Sequence, residues 1–264
     1  MALKQSMEKN GNILFRYRGQ IPLFVFIISL PFIYITYYTD NYFIFSTIFG
    51  EQLPFFWIIL SIVSVIISFL GIVVRAYTIG TTPRGTSGRN TDKQVANQLN
   101  TKGIYSIVRH PLYLGNYLMW AGLLIFTANI YLFIIASLLY WIYYERIMFA
   151  EECFLEKSFG DEFIQWSMNV PAFIPRFKNF KKGDLPFSFK AVLRREYSGL
   201  FAITLCFTIV DYLRYTAMVL FDNITDTQWI RLSLILLIIM GVLMIILRSL
   251  KHHTTLLDAD SNRD

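Results

Sequence analysis

Charge is what this sequence has least of. Asp, Glu, Lys and Arg make up 16% of its 264 residues, where an average soluble domain carries about 25%. With 55% apolar residues, 17% aromatics and a mean hydropathy of +0.47, that shortage excludes a disordered chain and a coiled coil. Cysteine is nearly absent. Cys153 and Cys206 are too few for a disulfide framework and form no CxxC or zinc-ligand spacing, so no metal site is expected. No small-residue cleavage site follows the first apolar run, and a removable signal peptide is not expected. Internal repeats are missing too, as is the inverted pair of broken helices that transporters use.

What the sequence does have is long apolar blocks, and these define an integral membrane protein. Ile21 to Tyr38 and Leu53 to Val74 are each close to the ~20 residues that a bilayer requires. Apolar character returns at Pro111, breaks at Thr127-Ala128-Asn129 and resumes to Tyr144, which predicts an antiparallel hairpin. Gly199 to Phe221 and Trp229 to Leu247 complete six spans. The expected fold is all-α: a polytopic transmembrane helical bundle with a catalytic cap facing the cytoplasm. Three parts are expected: 1–74 with the first two spans, 75–198 as a core of polar segments around the hairpin, and 199–264 with the last two.

Orientation follows from the basic residues. Of 24 Lys and Arg, 22 fall in the N-terminus, the 75–110 segment, the 145–198 segment and the tail. The 39–52 and 222–228 loops hold none. Basic loops favour the cytoplasmic side, beside anionic lipid, so all four polar segments should lie there. The net charge of +6 thus reads as a topology signal, and no nucleic-acid partner is expected. Asp211 and Arg214, inside the fifth span, are expected to neutralise each other or to meet a polar lipid headgroup.

Two clusters carry candidate chemistry. The first is Gly103, Tyr105, Arg109, His110, Pro111, Tyr113 and Tyr117. Proline suits the first turn of a helix, where its missing N–H would be unpaired anyway. Pro111 should therefore open the third span and leave Arg109 and His110 at its positive end, a place for a carboxylate or phosphate. Tyr113, Tyr117 and Trp120 recur at helical spacing, giving that span an aromatic face. The plainer reading is a snorkelling arginine and an interfacial tyrosine belt. The second cluster, Glu145-Arg146 and Glu151-Glu152, ends the fourth span. Neighbours on a helix point about 100° apart, so one of Glu151 and Glu152 is expected to face the Arg109/His110 end and the other water or Arg146. Its plainer reading is a solvated helix end. Together the clusters offer cations and N–H groups for an anion, a carboxylate for an ammonium or ribose diol, and aromatic faces for a flat ring. A zwitterionic amino-acid nucleotide such as S-adenosylmethionine needs all of these.

The order Gly103-x-Tyr105-x-x-Val108-Arg109-His110-Pro111-x-Tyr113-x-Gly115, then Glu151-Glu152-x-x-Leu155-x-x-x-Phe159-Gly160, then Val170-Pro171-x-Phe173-x-Pro175 resembles the isoprenylcysteine carboxyl methyltransferase and phospholipid methyltransferase superfamily. The match runs over roughly residues 70 to 177. That resemblance implies methyl transfer from S-adenosylmethionine to a lipid-linked acceptor. It implies cofactor roles for Arg109, His110, Tyr113, Glu151 and Glu152, and Gly103, Tyr105 and Pro111 of the same cluster are expected to share them. Arg109 or another of the cytoplasmic arginines would hold an anionic acceptor, Glu151 or Glu152 would act as base for an amine, and Tyr117 and Trp120 would meet the substrate. Where the family usually shows two tyrosines, this chain has Phe163 and Trp166. The alternative enzyme is an NADPH-dependent membrane sterol or lipid reductase, for which Arg84, Arg89 and Lys93 supply extra cations. The adjacent glutamates would repel its polyphosphate. A transporter or scaffold is the third reading.

Overall fold

The computed structural model describes residues 2–38, 53–83, 94–221 and 228–258. Its described elements are helical: α1 (Leu3–Arg16), α2 (Gln20–Ser29), α3 (Pro31–Tyr38), α4 (Leu53–Thr81), α5 (Pro111–Phe126), α6 (Ile130–Phe159), α7 (Asp161–Asn169), α8 (Phe189–Phe221) and α9 (Gln228–His253). Short 3-10 turns at Ile104–Ser106 and Phe177–Asn179 complete them. Five stretches are long and apolar enough to cross a membrane, and Pro111–Phe126 is a shorter apolar helix. The six expected apolar segments are all present, although the third falls short of the usual spanning length.

The helix limits differ from those expected, each for a local reason. The first span is broken into α2 and α3, because Pro31 lacks an N–H and its ring opposes the carbonyl four residues back. Leu30 N–H accordingly bonds to Ile27 O at 3.3 Å, three residues back. The second span does not stop at Val74. It carries on through Arg75 to Thr81, since Arg75 has a carboxylate partner inside the bundle. The fourth likewise runs beyond Tyr144 to Phe159, and the fifth begins at Phe189 rather than Gly199. The hairpin itself is as expected. Ala128 takes a left-handed φ of 59°, and the Asn129 side chain caps α6 by accepting from Leu132 N–H at 2.8 Å.

Glycine sets the seam between α4 and α5. A Cβ on Gly115 would lie 2.6 Å from Arg75 Cγ and 2.9 Å from Gly71 O, so neither helix could approach as closely with a larger residue. Ser68 Oγ donates across the same seam to Met119 O at 2.6 Å. Around it, Phe26, Ile33, Leu123, Phe126, Ile203 and Val210 form the main apolar cluster. Large apolar side chains such as Ile62, Ile135 and Ile238 stay exposed on the outer faces of α4, α6 and α9, as a lipid-facing surface requires.

The polar segments meet at one end of the bundle. Backbone N–H groups of Gly103, Arg109, His110 and Arg176 donate to Lys181, Pro171, Ala172 and Ile107 at 2.9–3.1 Å, and Ser188 N–H donates to Gly80 O at 2.9 Å. α1 packs along the polar extension of α6, where Tyr143 Oη donates to Leu14 O at 3.0 Å. At that end too, Arg194 pairs with Asp258 of the tail. The described parts of the four polar segments therefore share one end of the bundle.

Candidate functional site

Pro111 is the first residue of α5, and His110 is its N-cap. This places the imidazole over the start of the helix and over the end of α6, which extends past the apolar zone. His110 Nε2 lies 2.9 Å from Glu152 Oε1 and Nδ1 lies 3.4 Å from Glu151 Oε2. Both glutamates thus reach the same ring from two sides. This corrects the expectation that one would turn away to water or Arg146, because His110 sits between the two directions that adjacent residues project. Each has a second partner. Tyr113 Oη donates to Glu151 Oε1 at 2.8 Å, and Arg109 Nε lies 2.9 Å from Glu152 Oε1. In that ion pair the Nε–H is not aligned on the oxygen, so Nε remains a buried donor without a hydrogen bond. Arg109 Nη1 donates instead to Ser167 O at 2.7 Å.

Burial would lower the His110 pKa, but hydrogen bonds and charge from Glu151 and Glu152 outweigh it and hold the imidazole above its ordinary value. With His110 protonated, two cations face two carboxylates and the cluster is balanced. Burial, then the charge of Glu151, push the Tyr105 phenol well up, so it stays neutral.

The cluster stands on the wall of a cavity of about 620 Å³. Tyr105, Arg109, His110, Pro111, Tyr113 and Glu151 all line it. Glu152 is behind His110, and Gly103 takes a positive φ of 60° and pairs with Lys181. Tyr117 and Trp120 lie elsewhere. Tyr117 packs on Tyr140 and Phe173 and donates to Ser137 Oγ at 3.2 Å, while Trp120 packs on Phe26 in the apolar cluster. At the positions where tyrosines were expected, Phe163 is buried against Trp166, whose indole N–H bonds to Tyr105 O at 3.1 Å.

The sequence reading missed the opposite wall. Arg75 Nε and Nη2 donate to Glu196 Oε2 and Oε1 at 2.7 and 2.8 Å, and Nη1 donates to Asn116 Oδ1 at 2.6 Å. All three residues line the cavity, as do Arg18 and Arg195. The available signal was Arg75 at the end of an apolar run, since an ionisable residue there calls for a partner. Asp211 and Arg214 do not neutralise each other. Asp211 accepts from Ser233 on α9, and the Arg214 guanidinium lies 4.8 Å over Trp57 and 4.3 Å over Phe126. Among the described residues no group of three or more His, Cys, Asp and Glu is arranged to hold a metal ion.

Residues 56–162 match the phospholipid methyltransferase family. That stretch contains most of α4, all of α5, the 3-10 turn at Ile104–Ser106 and both glutamates. The chain is 35% identical over 89 residues to the protein-S-isoprenylcysteine O-methyltransferase of Schizosaccharomyces pombe, covering 34% of this chain and 36% of that protein. It is 28% identical over 126 residues to the probable protein-S-isoprenylcysteine O-methyltransferase of Oryza sativa subsp. japonica, 47% of this chain and 65% of that one. The cobalt-zinc-cadmium resistance protein CzcN of Cupriavidus metallidurans is 34% identical over 85 residues, 32% of this chain and 39% of its own. The chain therefore spans between about a third and two thirds of the length of these curated relatives. No solved structure matches it. These findings support the superfamily that the motifs resemble, and they support neither the reductase nor the transporter alternative. Arg84, Arg89 and Lys93, the cations of the reductase reading, lie outside the described residues.

Proposed function

We propose that this protein is an integral membrane methyltransferase that moves a methyl group from S-adenosylmethionine to a lipid-linked acceptor, on the cytoplasmic side. The observation that carries this reading is the Arg109–His110–Glu151–Glu152 cluster on a cavity wall, inside the stretch that matches the phospholipid methyltransferases. The residues present fit the cofactor. Arg109 Nε is a buried donor with no aligned acceptor, suited to a carboxylate. Glu151 lines the cavity and suits an ammonium or ribose hydroxyls. Tyr105 and Trp166 line it too and offer aromatic faces for a flat base. The volume is within the ~300–1,000 Å³ typical of small-molecule sites.

Bound there, the cofactor would supply an electrophilic sulfonium methyl. The work of the chain is then to align the two reactants, exclude water and hold charge in place. His110 fixes both glutamates, and Tyr113 orients Glu151 through its Oε1. The relatives named for O-methylation favour an oxyanion acceptor, which needs no base. An amine would have to lose a proton, and Glu151 or Glu152 would be the base that takes it.

Calorimetry on purified protein in detergent tests the cofactor. S-adenosylmethionine and S-adenosylhomocysteine should bind, and NADPH poorly or not at all. Tight NADPH binding with none for the sulfonium would overturn the methyltransferase reading.

A further inference from the structure

The cavity has a second polar pole that the cofactor reading leaves without a task. Arg75 on α4, Asn116 on α5 and Glu196 on α8 meet on its wall. Asn116 is six residues along α5 from His110, and at 1.5 Å per residue that is about 9 Å deeper into the bundle. A reactant arriving through the bilayer reaches this depth before it reaches the His110 rim. Glu196 is 6% exposed, and it comes from α8, which lies wholly outside the stretch matching the family.

The pair has capacity to spare. Three of the five guanidinium N–H groups of Arg75 are committed to Glu196 and Asn116, leaving two without a partner among the described residues. Glu196 holds the guanidinium by a two-point fork, so its plane is fixed. Gly115 contributes from below, because its missing side chain gives the Arg75 stem room to lie across α5.

Resting on the methyltransferase reading, we propose that Arg75 anchors the oxyanion of a lipid-linked acceptor, a carboxylate or a phosphate. Glu196 is the positioning residue that aims Arg75. Charge sets the terms of this exchange. Glu196 neutralises Arg75 while the site is empty of acceptor, so the buried pole carries no lone charge. An incoming oxyanion takes the two remaining N–H groups, and it competes with Glu196 for the same cation. Helix α8 thereby completes the acceptor-facing wall with Arg195, Ser198 and Gly199 beside Arg75 and Asn116, while Arg109, His110 and Glu151 line the cofactor-facing one.

Binding measurements on the full chain in detergent test this. The probes are N-acetyl-S-farnesylcysteine (a carboxylate), farnesyl phosphate, and the methyl ester of the first as a neutral reference, with S-adenosylhomocysteine as the cofactor probe. Wild type should hold one of the acids at least tenfold tighter than the ester, and whichever acid it prefers identifies the anchored group. The double variant Arg75→Met/Glu196→Met removes both charges, so no lone charge stays buried. It should lose the preference for acid while binding S-adenosylhomocysteine within twofold of wild type. Glu196→Gln removes the competing carboxylate but leaves an amide beside Arg75, and should raise the acid-over-ester ratio. A purely structural tie between α8 and α4 would move that ratio in neither variant, and such a result would overturn the proposal. So would a wild type that binds S-adenosylhomocysteine yet prefers neither acid to the ester. Failure of wild type to bind S-adenosylhomocysteine at all would strike the methyltransferase reading itself, and this subsite with it.

Discussion

His110 is the residue on which the cluster turns, because it touches both glutamates and stacks on Tyr113 with ring centroids 5.8 Å apart. If these were separate interfacial residues, single substitutions would leave cofactor affinity unchanged. As one pocket, His110→Ala or Glu152→Ala should weaken S-adenosylhomocysteine binding while the bundle stays assembled. Loss of one charge-assisted hydrogen bond is worth ~1.5–3 kcal/mol, roughly ten- to more than a hundred-fold in affinity. Glu145 is exposed on α6, so Glu145→Ala should change little. Equal affinities across wild type and these variants, in folded protein, would remove the pocket. Stability should also respond to pH through this ring. Its native pKa is raised, so the stabilisation it gives is complete below about 6.5, the ordinary histidine value, and is lost as pH rises through the higher native value. Thermal melts in detergent should show that decline in wild type, and His110→Gln should flatten it. The motif residues were legible because they are close in sequence and unusual in an apolar chain. Arg75 and Glu196 were not, since 121 residues separate them and each alone passes for loop polarity.

At the scale of elements, the apolar blocks announced the helices but not where they end. Burial in lipid sets a minimum length, whereas the true ends of α4, α6 and α8 depend on partners outside each helix. Arg75 remains helical because Glu196 meets it, and α6 runs to Phe159 because α1 lies along its polar end. Gly11 is what lets α1 approach: a Cβ there would sit 2.1 Å from Arg146 O. The α4–α5 seam follows the same rule and makes a prediction. Gly115→Val would force a side chain against Arg75 Cγ and Gly71 O, and overpacking of this kind costs about 1–3 kcal/mol. Unfolding in detergent should show that loss, together with weaker binding of acidic lipid probes as Arg75 is displaced. Gly19→Ala meets nothing within 4 Å and should match wild type in stability. A Gly115→Val protein as stable as wild type would mean that the seam can open without consequence.

For the whole molecule, the basic segments and the fold make one joint claim. The backbone ties residues 103–110 to 171–181, so these stretches cannot lie on opposite faces of a membrane. Their excess of Lys and Arg predicts, by the preference of basic loops for the inner side, that this common face is cytoplasmic. Cysteine labelling in sealed vesicles of known orientation separates the two parts of this claim. The native thiols make a quiet background, since Cys153 and Cys206 are both buried. Val95 and Phe180 are exposed on the polar face, and Tyr38 is exposed at the far end of α3. An impermeant maleimide added from the cytoplasmic side should label Val95→Cys and Phe180→Cys, and should miss Tyr38→Cys. Added from the other side, it should label Tyr38→Cys alone. Labelling of positions 95 and 180 from opposite sides would break the fold and the site together. Labelling of both from the non-cytoplasmic side would leave the fold intact but invert it, and would deny the cavity access to a water-soluble cofactor made in the cytoplasm.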